Sequence, residues 1–333
     1  MKITSAEIAR LANVSRSTVS RVVNNYSNVP DETRKKVLDV IEKYGYEPNS
    51  FAQVLAGKAS REIALFISDC DSSRKRWKGT ESPYFMRLIA ELISQGKQYE
   101  YMISVVVVTQ KSDFAKIENM YLSRMICGGV FVGFEFEMKS INELASQGFN
   151  MVVIDPNVDM IQAENIRGIY SQNQDAGYLA TSYLIRQGHR QIAHLSGDDR
   201  LSSRDRVIGY KRAMLEAGLE DECRIEAGNF NSETAYKAAE RILHTPATAI
   251  YAANDLMAIV AMRAANDLGR KVPEDIKIVG CDYNSNYEDL GYHLTTVEIS
   301  VRDIAKTAVR AVIGVEKGDR LICPARFRKG VTA

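Results

Sequence analysis

The chain has 333 residues, 45% of them apolar, and a net charge of +1. That length and composition fit a globular protein of two or three packed units and exclude a disordered chain. No apolar run approaches the roughly 18 to 20 residues that cross a bilayer, and the opening MKITSAEIAR lacks the apolar stretch of a signal peptide, so a cytoplasmic protein without membrane contact is expected. The cysteines, Cys70, Cys127, Cys223, Cys281 and Cys323, are far apart, odd in number and free of any C-x-x-C pair, which predicts reduced thiols rather than disulfides or zinc ligands. Residues 1–60 hold nine Lys/Arg against six Asp/Glu, a balance of +3 that leaves −2 for the remainder. So mild an asymmetry favours a phosphate-binding head only slightly.

In chain order, the first 44 residues carry helical periodicity alone. Thr4 followed by Glu7 is a capping-box pattern and predicts a helix from about Ser5 to Ala12. Asn13-Val14-Ser15 is a turn, Ser15 caps a second helix from Arg16 to about Asn24, and Pro30-Asp31-Glu32 opens a third that runs to Tyr44 and stops at Gly45. Ile8, Ala9, Ala12, Val14, Val19, Val22, Val23, Val37, Leu38 and Ile41 fall at spacings that give each helix one inward stripe. The stretch Asn49 to Lys58 has an N-cap and a C′ glycine but barely two turns between, a helix too short to hold itself without a partner.

From Glu62 the pattern turns to strand, helix, strand. Apolar strand-like runs occur at 63–67, 101–108, 129–134, 151–155, 191–196, 248–254, 276–282 and 295–299, with helical patterns at 84–95, 174–187, 204–217, 234–244 and 256–268. This alternation predicts an α/β region of parallel sheets covered by helices on both faces, and about 270 residues of it should divide into two lobes. Ligands in such sheets bind beyond the carboxyl ends of the strands, so a cleft between the lobes is the expected pocket.

The segment Ile8 to Asn25 carries the functional signal. A helix that enters the major groove needs small or polar residues on the face towards base edges and apolar residues behind it. Arg16, Ser17, Ser20 and Arg21 form such an outward face, and Val19, Val22 and Val23 the inward one. Arginine can donate in bidentate fashion to guanine, while Ser15, Thr18 and Ser20 can donate to phosphates. On spacing alone, an ordinary helical hairpin remains an alternative.

The run V-S-R-S-T-V-S-R-V-V-N-N, followed by V-P-D-E-T-R-K-K-V, Y-G-Y-E-P-N and L-A-G-K, resembles the start of the lactose-repressor and galactose-repressor family of bacterial transcriptional regulators. The resemblance continues through L-I-R-Q-G-H-R-Q-I-A-H-L-S-G, G-Y-K-R-A-M-L-E-A-G-L, A-A-N-D-L-M-A-I-V-A-M-R-A, V-P-E-D-I-K-I-V-G-C-D and L-T-T-V. It implies a helix-turn-helix head at 1–46, a hinge helix and linker at 47–60, and a two-lobed periplasmic-binding-protein-like core at 61–333. The first lobe is expected at about 61–168 and 299–322, the second at about 169–298 and 323–333. It further implies a homodimer that reads a pseudo-palindromic operator in double-stranded DNA, using Ser15, Arg16, Ser17, Thr18, Ser20, Arg21 and Asn24, with Leu55 as a minor-groove wedge. The chain ends at Ala333 without leucine heptads, which also favours a dimer over a tetramer.

For the core, the resemblance implies a small-molecule effector held by Phe85, Asp155, Ser202, Arg206, Phe230, Asn254 and Asp282. Carboxylates and amides bind hydroxyl groups and an aromatic face covers a ring, so the set suits a sugar or sugar derivative. Taken singly, each residue is as much at home in a loop cap or an ion pair, Arg206 with Asp282 for example. Two departures from the family stand out: the basic loop holding Arg74, Lys75, Arg76 and Lys78, which can bind a phosphate or carboxylate on the effector but is read first as a solvated charged loop, and Gln172 where relatives often have Asp. No G-x-G-x-x-G, G-x-x-x-x-G-K-[ST] or G-x-S-x-G occurs, and the four histidines form no metal-spaced pair, so neither an enzyme nor a metal or cofactor site is expected. The alternative of another class is a solute-binding protein whose N-terminal helices serve only association.

Overall fold

A computed structural model describes residues 3–24, 26–46, 60–69 and 82–333. The expected hinge helix with Leu55, the basic loop from Arg74 to Lys78 and Cys70 lie outside the described residues. The chain forms two compact units, one of residues 1–60 with 122–125 and one of residues 61–121 with 126–333.

In the first unit, α1 (Ser5–Leu11), α2 (Arg16–Val23) and α3 (Asp31–Tyr44) close on a small core of Ile8, Ala9, Ala12, Val19, Val22, Val29 and Val37. Local chemistry sets the helix ends. The Thr4 and Glu7 capping box is complete, with the Glu7 amide donating to Thr4 Oγ1 at 3.3 Å and the Thr4 amide to Glu7 Oε2 at 2.7 Å. Gly45 ends α3 in the left-handed region at φ 59°. One inward assignment fails: Leu38 is 47% exposed. Its neighbour Val37 takes the buried position, and Val40 and Ile41 continue that stripe, so residue 38 points a quarter-turn away.

The second unit holds two six-stranded sheets. The first has the order β11-β5-β4-β3-β1-β2, all parallel, from β1 (Glu62–Ser68), β2 (Met102–Val108), β3 (Gly128–Val132), β4 (Met151–Ile154), β5 (Ile166–Ser171) and β11 (Arg320–Cys323). The second has the order β12-β10-β9-β8-β6-β7, from β6 (Ile192–Ser196), β7 (Arg224–Ala227), β8 (Ala249–Ala252), β9 (Lys277–Asp282), β10 (Thr295–Ile299) and β12 (Ala325–Arg328). Only β12 is antiparallel there, on β10. Leaving out the late strands β11 and β12, both sheets repeat one doubly wound order, so each has its topological switch point at the carboxyl ends of its strands.

Helices on the first sheet are α4 (Pro83–Gln98), α5 (Asp113–Leu122), α6 (Met138–Ala145) and α12 (Val301–Val312). Those on the second are α7 (Asn173–Arg186), α8 (Leu201–Glu216), α9 (Ser232–Leu243) and α10 (Asp255–Asp267), with α11 (Ser285–Asp289) after β9. The chain crosses between lobes three times, after β5, after β10 and between β11 and β12. The first crossing follows Ser171 rather than residue 168, because Gly168 to Ser171 are paired with Arg320 to Cys323 in the first sheet.

Candidate functional site

The outer face of α2 is built by its cap. Ser15 Oγ accepts from the Thr18 amide at 3.1 Å and shares hydrogen bonds with Ser17 Oγ (2.7 Å) and Thr18 Oγ1 (2.8 Å). The Ser15 hydroxyl is thus already engaged in fixing the helix start. Arg16, Ser17, Ser20 and Arg21 are exposed, while Val19 and Val22 are buried against the first helix. Thr18 and Asn24 are half-buried, and Asn24 Nδ2 donates to Ser20 Oγ at 3.3 Å. A helix with a free polar face, a capped N-terminus and two arginines can meet base edges and phosphates without repacking its core.

In the second unit a cleft between the lobes encloses about 870 Å³, open solvent at its mouth included. Phe85, Asp155, Ser202, Arg206, Phe230, Asn254 and Asp282, seven residues far apart in sequence, all line it. Each comes from a carboxyl end of a strand or from the loop or helix start that follows, as the doubly wound order requires.

The second lobe supplies a closed polar network. Arg206 Nε donates to Asn173 Oδ1 at 3.0 Å, Nη1 to the Ala253 carbonyl, and Nη2 to Asp282 Oδ1 at 2.7 Å. The guanidinium reaches Asn173 because α7 and α8 touch backbone to backbone. A Cβ on Gly177 would stand 2.2 Å from the Arg206 carbonyl oxygen, and one on Gly209 1.9 Å from that of Gln174. Beside Asp282, Asp255 accepts from Thr296 Oγ1 at 2.5 Å and from the Asn284 amide at 2.9 Å, and burial pushes its carboxyl up to about 7. Asn254 caps α10 through Oδ1, which receives the Met257 amide at 2.8 Å, so its NH₂ is the group it can offer to the cleft.

The first lobe contributes Asp155, at φ 47° after β4, whose Oδ1 accepts from the Ser171 amide at 2.7 Å. Burial pushes this carboxyl up to about 6 against the pull of that hydrogen bond. Tyr84 and Phe85 meet edge to face at 5.5 Å, and Phe230 from the second lobe carries the Arg200 guanidinium 5.4 Å from its ring centroid. Arg200 is itself paired with Asp198 at 2.9 Å. Sequence reasoning missed Tyr84, Ser171, Asn173 and Arg200 as lining residues. Tyr84 and Asn173 adjoin positions that had been singled out, Phe85 and Gln172, which was the only signal present. Among the described residues no cluster of His, Cys, Asp or Glu could hold a metal ion, and no helix is long and apolar enough to cross a membrane.

A capped helix-turn-helix head and a two-lobed core with a cleft between its lobes are the parts of a DNA-binding regulator with a ligand-binding domain. Residues 4–49 match the model of bacterial regulatory proteins of the lacI family, and residues 181–321 that of a periplasmic binding protein-like domain. The chain is 30% identical to the HTH-type transcriptional regulator DegA of Bacillus subtilis (strain 168), over 97% of this chain and 95% of that one. Among solved structures, the lac repressor dimer bound to operator and the anti-inducer ONPF superposes with a TM-score of 0.83 at 24% identity, covering 100% of this chain and 99% of the other. The transcriptional regulator CelR in complex with cellobiose matches with a TM-score of 0.67 at 24% identity, with both chains covered in full. The chain belongs to the lacI family of bacterial regulatory proteins, a family of transcriptional regulators rather than enzymes.

Proposed function

We propose that the protein is a cytoplasmic, homodimeric repressor whose hold on a pseudo-palindromic operator is controlled by a sugar or sugar derivative bound between the lobes. The observation that carries this is the convergence of the seven lining residues on one cleft, with carboxylates, an amide and a hydroxyl set among aromatic rings. Such a lining matches a molecule that is hydroxylated round its rim and apolar on its faces. The cellobiose bound by CelR, a protein of the same fold, supports the same ligand class.

Arg16, Ser17, Ser20 and Arg21 are assigned to base edges and nearby phosphates, Ser15, Thr18 and Asn24 to positioning, and Leu55 to the wedge. The effector assignment is tested by a thermal-shift panel of sugars, sugar phosphates, polyols and nucleobases. A ligand at 100 times its dissociation constant adds about 2.7 kcal/mol of stability, enough to read directly. Stabilisation by purines alone would remove the sugar reading and leave the regulator reading intact. For the alternative of a solute-binding protein, titration of random duplex at two salt concentrations decides. Six to ten phosphate contacts predict a loss of about 10³ to 10⁵ in affinity between 50 and 200 mM salt, whereas an association module would bind no DNA.

A further inference from the structure

Where β9 ends and the chain turns beside the cleft, the backbone is strained. Asp282 has φ 93° and Tyr283 φ 53°, two consecutive residues in the region that favours glycine. Such a pair persists only where its surroundings hold it. Contacts from four elements do so. Within the second lobe, Arg206 on α8 pairs with Asp282 at 2.7 Å, the Arg328 guanidinium on β12 lies 4.1 Å from the Tyr283 ring centroid, and Asp255 on α10 accepts from the Asn284 amide at 2.9 Å. The fourth contact comes from the other lobe: Arg87, half-buried on α4, donates through Nη1 to the Tyr283 carbonyl. Asp282 lines the cleft, and Arg87 lies outside that lining.

We propose that Arg87 is a positioning residue for the effector site: from the first lobe it holds the second lobe's turn in the conformation that presents Asp282 to Arg206 and to the cleft. The Tyr283 carbonyl and the Asn284 amide belong to one planar peptide group. Arg87 grips its oxygen and Asp255 its N–H, so a single peptide plane is clamped from both lobes at once. Relaxing Tyr283 out of the left-handed region would swing that plane away from both partners. With the lobes apart, Arg87 is out of reach, the plane keeps Asp255 alone, and the turn is released together with Asp282. The second-lobe wall of the cleft is therefore completed by a residue of the first lobe that does not itself line it. The proposal rests on the reading of the cleft as the effector site.

Hydrogen exchange of the full chain, read by mass spectrometry in peptides covering residues 283–289, tests the clamp without any ligand. Arg87→Ala should speed exchange there by about tenfold or more while the urea midpoint of the core stays where it is. Arg87→Lys keeps a donor and should recover most of the protection, which loss of packing alone would not explain. Arg326→Ala breaks a different ion pair between the lobes, with Asp303 at 3.0 Å, and should leave exchange in 283–289 within about twofold of the wild type. Unchanged exchange in Arg87→Ala, or no recovery in Arg87→Lys, would overturn the proposal. An equal rise in Arg326→Ala would overturn it too, because any loosening of the lobes would then free the turn. None of these outcomes depends on the saccharide panel: a failed clamp leaves the sugar reading standing, and a failed panel leaves the exchange result as it is.

Discussion

The two functional regions of this chain are built on opposite plans. The outer face of α2 carries its polar groups in solvent, held by a serine cap over a core of seven buried apolar residues. The cleft buries Arg206 and Asn173 and half-buries Asp155, Ser202, Asn254 and Asp282, and on the second-lobe side Arg206 is held internally by Asn173, the Ala253 carbonyl and Asp282. An exposed arginine can be replaced at little cost to folding, whereas a buried, paired one holds up the structure as well as the site. Recognition and stability are therefore separable in the head and entangled in the core.

The sharpest way to break that contrast is Arg206→Ala. It leaves Asp282, Asn173 and the Ala253 carbonyl without their partner in a buried setting, and a loss of about 3–5 kcal/mol in urea denaturation of the core is expected. Next comes Arg16→Gln, which should change operator preference at particular base pairs by about 1–3 kcal/mol. Its effect on stability should stay within about 0.5 kcal/mol, as for other exposed positions. Equal losses of stability in these two variants would erase the distinction between the regions.

Ser15→Ala lies between the plans, since its hydroxyl caps α2. About 1 kcal/mol of head stability should go with it, seen as faster amide exchange in residues 5–44 and no change in the core. A different kind of effect is expected in the pH dependence of Asp255. Its carboxyl is raised by burial from 3.8 to about 7, so the folded state holds the proton more tightly than the unfolded one. Stability from this group is fully present below about pH 4 and is lost as pH rises towards and through about 7. Asp255→Asn should flatten that part of the melting-temperature profile between pH 5 and 8, and an unchanged slope would show that burial does not govern this carboxyl.

The head was legible in the sequence because its signals are local. Thr4 with Glu7, Ser15 and Gly45 mark helix ends by contacts within three residues or by a single backbone conformation. Leu38 was misplaced because periodicity cannot separate two adjacent apolar residues at the edge of a stripe. In the core the long apolar strands were readable, while β5, β7, β11 and β12 were not. These are short or carry charged residues, and β11 and β12 depend on partners more than 20 residues away in the chain. Helices α5, α6 and α12 were also absent from the periodic reading. The seven lining residues came from the family resemblance, since singly each reads as a cap or an ion pair. Arg206 and Asp282 do form that pair, and they line the cleft as well. Ser171 and Asn173 carry no motif, and only the close crossing of α7 and α8 brings Asn173 to Arg206.

The proposed coupling joins a base-reading head to a ligand-binding cleft on one chain. Its most direct test is selection of duplexes from a randomised pool by the full chain, repeated with Arg16→Gln and with the stabilising ligand present. The wild-type protein should enrich a pseudo-palindrome of two half-sites, Arg16→Gln should shift the preferred base at defined positions in each half, and the ligand should change the fraction bound without changing the preferred sequence. Enrichment of no sequence, or the same sequence enriched to the same extent by all three, would contradict it.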